Sequence, residues 1–413
     1  MIVDNLILEK LIGKGSFGEV YLTSKKGDTK KYATKKFERS EIEGTEAMKY
    51  LKNEIIILQH LKHPNIAKYD DVKKTKKHFY IVMEFCNGGE LSKALEKYQS
   101  KYGCSFSEEI VQHLMRQIIN AFQYIHKQKI IHRDIKLDNI LLNYETEEDK
   151  NNLNLMKATV KIIDFGFSCK ISKSGLQYST LGSPINMDPI ILKKLNSTGG
   201  KTRQLGYDQK ADIWSLGTIC YEMLIGKSAF DAQDMDELVE KIEKGTYVIP
   251  TSVSKEVISF LNGMLQYESR KRLTCEQLAK HDFLTKNVKD FHKIDVKKVS
   301  GKITGEGLNI NVKQNRTIWA IFNSEDENKL TRIGGTDFAE PIDEKDELES
   351  KNSGPSPNQS FPMENQSAYS GPMLPNPFQG IPGNPTNQQI RGSTEQEMAQ
   401  GGFIFQGGIF DKV

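Results

Sequence analysis

The apolar positions of the chain follow two different spacings. From residue 5 to 85, short apolar runs alternate with turn residues, which predicts strands; one interruption, EAMKYLKNEIIILQHLKH, has apolar residues at the three- and four-residue steps of a helix. From about residue 90 to 284 the helical spacing dominates. The pattern predicts an α+β protein with two lobes, a small β-rich N-lobe with one main helix and a larger helical C-lobe.

The apolar pattern ends before the chain does. Eight of the 13 prolines follow Ser353, among Asn, Gln, Gly and Ser. Such a composition cannot bury enough apolar surface to offset the entropy of ordering, so we predict a disordered C-terminal tail over 346–413. Residues 285–345, which include LNINVKQNRTIWAIFNS with some strand character, are predicted to be a linker or partner-binding segment of unknown structure.

Charge and cysteine content narrow the class of protein. Lys and Arg number 57 against 54 Asp and Glu, a net charge of +3 that argues against nucleic acid as a partner. The five cysteines form no C-x-x-C motif, which favours a reducing compartment, and we expect a cytoplasmic location. The most apolar window, 213–226, is shorter than the ~20 residues of a membrane span and contains Glu222. We therefore predict a buried helix there and no transmembrane segment.

A glycine-rich motif, IGKGSFGEV, is the first candidate binding site. Glycines let backbone amides approach phosphate oxygens without obstruction by a Cβ atom. G-x-G-x-x-G also occurs in dinucleotide-binding folds, but there it opens a helix, whereas here a strand, a turn at Gly27 and a second strand follow. A hairpin over ATP phosphates is favoured, and the candidate nucleotide-binding residues are Ile12, Gly13, Gly15, Gly18 and Val20.

The second strand of this hairpin, KYATKKF, supplies a candidate phosphate-binding lysine. Side chains alternate along a strand, so Ala33 and Lys35 share one face. We expect Lys35 to bind phosphate and Ala33 to enclose adenine together with Val20. A buried lysine needs a carboxylate, and the predicted helix places Glu54 on its apolar face.

An apolar strand, FYIVMEF, runs into Cys86-Asn87-Gly88-Gly89 and reads as a hinge between the lobes. Backbone groups of Glu84 and Cys86 are placed to hydrogen-bond an adenine edge. This hinge is the third part of the predicted nucleotide site.

The stretch IIHRDIKLDNILL sets charged residues between two apolar runs, where they are costly unless each has a partner or a task. We predict that Asp134 accepts or orients the proton of an attacking hydroxyl and that Lys136 steadies the transferred phosphoryl charge. Asn139, and Asp164 at the end of the strand in TVKIIDFGF, are predicted to hold Mg²⁺.

With these parts, residues 7–284 resemble the eukaryotic protein kinases. The resemblance implies the bilobal protein-kinase fold, ATP and Mg²⁺ as cofactors, and protein substrates that carry Ser or Thr, because Lys136 after H-R-D-I is typical of that branch. It also implies that Asp212 braces the catalytic loop and that four side chains stack into a regulatory spine: Leu58, Tyr69, His132 and Phe165.

Within that branch the chain is similar to the Unc-51-like, autophagy-initiating kinases. The similarity lies in EFCNGGEL, the insertion YETEEDKNNLNLMKA, IDFGF and TLGSP. It implies autophagy-type signalling. Apart from this similarity, we expect that regulatory partners bind through residues 285–413. The alternative is a pseudokinase-like scaffold that binds nucleotide and partners without efficient phosphoryl transfer.

One motif departs from the family. Where the family has Ala-Pro-Glu, this chain has Asp188-Pro189-Ile190, although the arginine that usually pairs with that glutamate is present as Arg272. We hypothesise that Asp188 or a nearby acid takes over the pairing.

A second hypothesis concerns regulation by phosphorylation. Arg133 lies beside the predicted base, and Ser179 and Thr180 precede Gly182-Ser183-Pro184. A phosphate on Ser179 or Thr180 would carry a charge of about −1.5 to −2 and could pair with Arg133.

Overall fold

The computed structural model describes residues 2–15, 18–170, 183–195, 208–293, 303–304 and 307–311. The predicted tail and the candidate phosphorylation sites Ser179 and Thr180 lie outside the described residues. Among the helices that are described, none combines the length and apolar character needed to cross a membrane.

The N-lobe is built on a six-stranded antiparallel sheet in the order β1-β2-β3-β4-β6-β5. Alternation along β4 follows the predicted pattern: Tyr32 and Thr34 are buried on one face, and Lys35 and Phe37 belong to the other. The strands are β1 (Ile2–Val3), β2 (Leu6–Gly15), β3 (Gly18–Lys25), β4 (Lys31–Glu38), β5 (Tyr69–Lys74) and β6 (His78–Glu84).

Two helices, α1 (Arg39–Ile42) and α2 (Glu46–His60), lie between β4 and β5. The Thr45 hydroxyl accepts a hydrogen bond from a backbone amide in the first turn of α2, which begins the helix there. The buried positions of α2 include Leu51 and Glu54, so the predicted apolar face carries its carboxylate into the interior.

The C-lobe is mostly helical. Its elements, up to the end of the predicted kinase region, are β7 (Gly89–Glu90), α3 (Leu91–Tyr102), α4 (Glu108–Lys127), β8 (Ile130–Ile131), β9 (Ile140–Asn143), α5 (Glu147–Asn151), β10 (Thr159–Ile162), β11 (Cys169–Lys170), α6 (Pro189–Leu195), α7 (Lys210–Ile225), α8 (Met235–Lys244), β12 (Thr246–Ile249), α9 (Lys255–Met264), α10 (Cys275–Ala279) and α11 (Asp282–Thr285). The predicted fold class, α+β with a strand-rich N-lobe and a helical C-lobe, is confirmed.

Helices α4 and α7 form the centre of the C-lobe core. The apolar window predicted as a buried helix lies in α7, which is buried on nearly all sides, and this prediction is confirmed. A Cβ atom on Gly217 would come within 2.8 Å of the Leu265 side chain, so glycine permits the close packing of α7 against the end of α9.

Two strands follow the helical region, β13 (Ile303–Thr304) and β14 (Gly307–Asn311). They complete a three-stranded antiparallel sheet in the order β12-β14-β13. Part of the segment predicted as a linker of unknown structure is thus paired with the C-lobe, and β14 coincides with the start of the stretch in which strand character is predicted.

Candidate active site

Lys35 on β4 lies between two carboxylates from different parts of the chain. Its Nζ atom is 3.5 Å from Oε2 of Glu54 on α2 and 3.7 Å from Oδ1 of Asp164, which follows β10. Lys35 and Glu54 are the predicted pair, and the structure brings Asp164 to the same ammonium group. Lys35 therefore links Asp164, a candidate metal ligand, to Glu54 on helix α2.

Burial and the neighbouring charges shift the pKa values of Lys35, Glu54 and Asp164 in opposite directions. Burial alone would lower the pKa of Lys35, but the carboxylates of Asp164 and Glu54 raise it above its ordinary value. Burial raises the pKa of Glu54 against the pull of the Lys35 ammonium. Burial would also raise the pKa of Asp164, yet Lys35 beside it lowers that pKa, so a charged carboxylate is favoured at this position.

The predicted glycine hairpin is formed by β2 and β3. Gly13 lies opposite Val20 and Gly15 opposite Gly18 in the antiparallel register. A Cβ atom on Gly18 would lie 2.1 Å from the Lys36 carbonyl oxygen, so this position admits only glycine without a backbone shift.

The adenine-site candidates occupy the neighbouring strands. Val20 lies opposite Lys35, and Ala33 lies opposite Met83 on β6. Ile12, on β2, is 43% exposed, so its side chain is available to cover a ligand.

The hinge begins at the end of β6. The Glu84 carboxylate accepts a hydrogen bond from the Lys68 amide at 3.1 Å and pairs with Lys161 on β10 at 2.8 Å, which ties the hinge to the C-lobe. Cys86 is buried, and burial raises the pKa of its thiol to about 12. Within the described residues no hydrogen bond involves the Cys86 backbone, whose amide and carbonyl groups are the ones predicted to meet adenine.

The catalytic-loop candidates converge on the Asp134 carboxylate. Asn139 donates hydrogen bonds of 2.8 Å from its amide nitrogen to the backbone oxygen and to Oδ2 of Asp134. The Lys136 ammonium lies 3.5 Å from the same Oδ2 atom. The three residues named from the sequence are therefore neighbours, with Asp134 in the centre and buried.

Ser183 is a contact that the sequence reasoning missed. Its hydroxyl donates to Oδ1 of Asp134 at 2.7 Å, and its backbone amide donates to the same oxygen at 3.0 Å. The two residues are 49 positions apart. The sequence signal for Ser183 is its place in the run Gly182-Ser183-Pro184, directly after the candidate phosphorylation sites Ser179 and Thr180.

Asp212 on α7 holds the backbone of the catalytic loop. Its carboxylate accepts hydrogen bonds from the backbone amides of His132 at 2.9 Å and Arg133 at 3.0 Å. Burial alone would raise the pKa of Asp212, but the hydrogen bond from His126 lowers it. Arg133, with φ of 73°, and Asp164, with φ of 60°, adopt backbone angles that non-glycine residues rarely adopt and that concentrate at functional sites.

The four residues implied to form a spine lie in or against one core cluster. Leu58 and Phe165 are buried in it, and Tyr69 packs against it. The rings of His132 and Phe165 meet edge to face with centroids 4.9 Å apart.

The donor set fits a magnesium ion shared with phosphate. Because Asn139 uses its amide nitrogen on Asp134, its side-chain oxygen remains an acceptor, and it receives no hydrogen bond within the described residues. The Ile163 amide donates to the Asn139 carbonyl at 3.0 Å, which places Asn139 next to Asp164 in the fold. No group of three or more His, Cys, Asp or Glu that could hold a metal occurs in the described part of the chain. Mg²⁺ commonly takes only one or two carboxylates and completes its shell with phosphates and water.

The departure at Asp188-Pro189-Ile190 is compensated as hypothesised. Asp188 forms an ion pair with the Arg272 guanidinium, and both side chains are almost completely buried. Arg272 also donates to the Gln266 and Lys210 carbonyl oxygens, each at 2.7 Å. Its Cζ atom lies 5.1 Å from the centre of the Trp214 ring. Asp188 stands two positions before Ile190, which occupies the place of the family's glutamate, and it pairs with Arg272 instead.

A scan of protein-family models matches the protein kinase domain over residues 6–284. Calcium-dependent protein kinase 5 of Plasmodium falciparum is 34% identical over 67% of this chain and 44% of its own length. Serine/threonine-protein kinase 33 of Bos taurus is 32% identical over 67% of this chain and 54% of its own length. The serine/threonine-protein kinase atg1 of Dictyostelium discoideum is 31% identical over 70% of this chain and 41% of its own length. The chain thus spans about half the length of the curated relatives it matches.

Proposed function

The chain belongs to the protein kinase family, and on that premise we propose that it transfers the γ-phosphoryl group of ATP to serine or threonine hydroxyls of proteins. The observation that carries the proposal is the joint placement of Lys35 with Asp164 and of Lys136 with Asp134, at 3.7 and 3.5 Å. Phosphoryl transfer needs positioning and charge stabilisation more than covalent chemistry. These two pairs supply a cation for phosphate, a carboxylate for metal and a carboxylate for the hydroxyl.

Asp134 is the proposed proton acceptor. Asn139 and Ser183 fix its carboxylate with hydrogen bonds from two sides, so the oxygens are oriented before substrate arrives. A substrate hydroxyl within hydrogen-bond reach would be aligned for attack and would lose its proton to Asp134. Lys136 would stabilise negative charge on the phosphoryl group in transit.

Asp164 and the side-chain oxygen of Asn139 are the proposed magnesium ligands. When bound, Mg²⁺ neutralises charge on the nucleotide phosphates. Lys35 would bind phosphate from the N-lobe side, and Glu54 would keep the lysine directed into the cleft. Gly13, Gly15 and Gly18 would cover the phosphates, with Ile12, Val20 and Ala33 around adenine and the backbone of Glu84 and Cys86 at its edge.

Replacement of the base tests the proposal and separates it from the pseudokinase-like scaffold. We expect wild-type protein with Mg²⁺ and γ-labelled ATP to label a generic protein substrate, and Asp134→Asn to lower kcat by at least about 100-fold with little change in ATP binding. The matched control is Asp236→Asn, the same chemical change at an exposed position of α8, which should keep full activity. Wild-type protein that binds ATP without transferring phosphate would favour the scaffold.

The proposal also includes the acceptor residue, Ser or Thr, and the biological setting, autophagy-type signalling. Lys136 and the serine/threonine kinases among the relatives support Ser or Thr over Tyr as acceptor. Autophagy-type signalling is supported by the motif similarity to Unc-51-like kinases and by the atg1 relative, but relatives with other names match equally well. Peptide libraries that differ only in Ser, Thr or Tyr at the acceptor position would test the acceptor class, and phosphorylation of Tyr peptides alone would contradict it.

Regulatory partners are proposed to bind through residues 285–413. The support is that this region follows the family match, which ends at residue 284. Pull-down with and without these residues attached to the chain would test it.

A further inference from the structure

A strand from beyond the protein kinase match completes a sheet in the C-lobe. The match ends at residue 284, whereas β14 pairs antiparallel with β12. The register sets Ile310 opposite Tyr247 and Leu308 opposite Ile249. Because residues directly opposite in an antiparallel pair lie on the same face, Ile310 shares its face of the sheet with Tyr247, and Ile249, two positions along β12, lies on that face too.

That face is turned into the C-lobe core. Ile310 and Ile249 are completely buried, and Tyr247 is 2% exposed. The Tyr247 ring meets the Tyr221 ring edge to face at 5.5 Å and the Phe230 ring at 6.2 Å. Ile310 therefore anchors the strand in the main hydrophobic core, although its position lies outside the region that the family model covers.

In the sequence of β14, Asn309 and Asn311 alternate with the apolar residues Leu308 and Ile310. Asn309 lies opposite the half-buried Val248, and Asn311 lies opposite the exposed Thr246. The alternation of apolar and polar positions matches the surface that β12 offers, as in peptides that bind by adding a strand to a sheet edge. The strand that matches the β12 edge in this way is residues 307–311 of the same chain. We therefore take this segment as the ligand of that edge.

Two features make the docked strand easy to release. The ladder between β12 and β14 contains only four residue pairs. In addition, the Tyr247 hydroxyl is buried and has no hydrogen-bond partner within the described residues, and an unpaired buried hydroxyl opposes the closed arrangement. Release would bare the β12 edge, whose backbone groups would then be open to another strand.

We propose that β14 (Gly307–Asn311) is a built-in ligand of the C-lobe, which docks on β12 within the same molecule and can leave without unfolding the lobe. A partner strand with apolar residues at alternate positions would compete for the same edge.

A pair of cysteines across the ladder tests docking in the full-length chain. Val248→Cys with Asn309→Cys joins directly opposite residues, whose Cα atoms in such a ladder lie about 4.5–5.5 Å apart, within disulfide range. The control, Val248→Cys with Asn311→Cys, joins a diagonal pair at about 7–8 Å, which is too far. We expect mild oxidation to link the first pair within one chain and to leave the second reduced, with peptide mapping to separate these links from the native cysteines. A link between two chains, or equal linking of both pairs, would overturn the proposal.

Hydrogen exchange tests release. Ile310→Asp places a charge on the buried face, whereas Asn309→Asp adds the same charge to the outward face of the same strand. We expect Ile310→Asp alone to speed exchange of the peptide covering 246–249, while α4 stays protected in both variants. Unchanged protection of β12, or loss of protection that extends through α4, would contradict a separately releasable strand.

Discussion

At the scale of single residues, two buried ion pairs join different elements of the fold. The Lys35–Glu54 pair joins β4 to α2, and the Arg272–Asp188 pair joins the α9–α10 connection to the start of α6. A buried pair adds little compared with apolar packing, but loss of one partner leaves an uncompensated charge in the interior. Each pair should therefore behave as a positional constraint whose two members cannot be changed singly.

The first prediction at this scale concerns Arg272 and Asp188. We expect Asp188→Leu and Arg272→Met each to lower the free energy of unfolding by about 3–5 kcal/mol, because each leaves one buried charge unpaired. The double variant should lose much less than the sum of the two changes. Denaturant unfolding of the four proteins measures the coupling.

An exposed ion pair provides the control for this cycle. Glu240 and Lys244 lie 2.6 Å apart with both side chains more than 60% exposed. Removing either should cost less than about 1 kcal/mol. If the losses at Asp188 and Arg272 were additive, the pairing would not be what holds them.

A further test moves the acid back along the chain. Ile190 stands where the family has its glutamate, so Asp188→Ala combined with Ile190→Glu should recover part of the stability and activity that Asp188→Ala alone loses. Initial rates with a peptide substrate and the midpoint of thermal unfolding are the readouts. No recovery in either would mean that only position 188 can reach the arginine.

At the scale of secondary-structure elements, the helices of the C-lobe begin at side chains that accept hydrogen bonds from the first turn. Ser107 does so for α4 and Ser254 for α9, and His281 does so for α11, where its Nδ1 atom accepts from the Phe283 amide at 3.1 Å. A histidine in this role must be neutral at Nδ1. Burial lowers the pKa of His281 to about 4.

This cap predicts a pH dependence of stability. The unfolded chain binds a proton at His281 below its ordinary pKa of 6.5, whereas the folded chain does so only near pH 4, so the unfolded state holds more protons between these values. The contribution of His281 is fully present above pH 6.5 and is lost as the pH falls toward 4. We expect a loss of about 2 kcal/mol between pH 7 and 5 from this residue.

The variant His281→Asn isolates that contribution, because asparagine can still cap the helix but does not titrate in this range. Thermal unfolding between pH 7 and 5 should show a flatter pH dependence in His281→Asn than in wild type. The exposed His60, replaced by Asn, should leave the wild-type slope unchanged. Identical slopes in all three proteins would exclude His281 as the titrating group.

Local patterns were sufficient to predict the two-lobed α+β fold and to select candidate site residues that the structure brings together. Alternation on β4 identified Lys35, helical spacing on α2 identified Glu54, and the catalytic-loop motif identified Asp134 and Asn139. The contact of Ser183 with Asp134 and the pairing of β14 with β12 could not be predicted in the same way. Both join short segments that are far apart in sequence, and neither segment has a periodicity that specifies its partner.

At the scale of the whole molecule, the proposed nucleotide cleft draws its residues from both lobes. Lys35 and Glu54 come from the N-lobe, Asp134 and Asn139 from the C-lobe, and Asp164 contacts Lys35 from the C-lobe side. A ligand that contacts both sides binds the folded protein and not the unfolded chain, so it must raise the stability of the whole domain.

Nucleotide binding should consequently be visible in thermal unfolding. With ATP and Mg²⁺ at about 100 times Kd, stability should rise by about 2.7 kcal/mol, a shift of several degrees in Tm. Asp164→Asn should remove the part of the shift that depends on Mg²⁺, whereas Asp236→Asn should retain it. A shift of equal size in Asp164→Asn with and without Mg²⁺ would exclude Asp164 as a metal ligand.

The exposure and the pKa of each cysteine thiol decide which cysteine reacts first with an electrophile. Four of its cysteines are buried or partly buried, and Cys104, just past the end of α3, is exposed. Alkylation proceeds through the thiolate, and the covered Cys86, with its raised pKa, holds its proton at neutral pH. A covalent inhibitor aimed at the hinge sulfur would thus find a poor nucleophile, while a maleimide dye would attach first at Cys104. Cys104 is therefore the preferred attachment point for a fluorescent dye or for surface immobilisation.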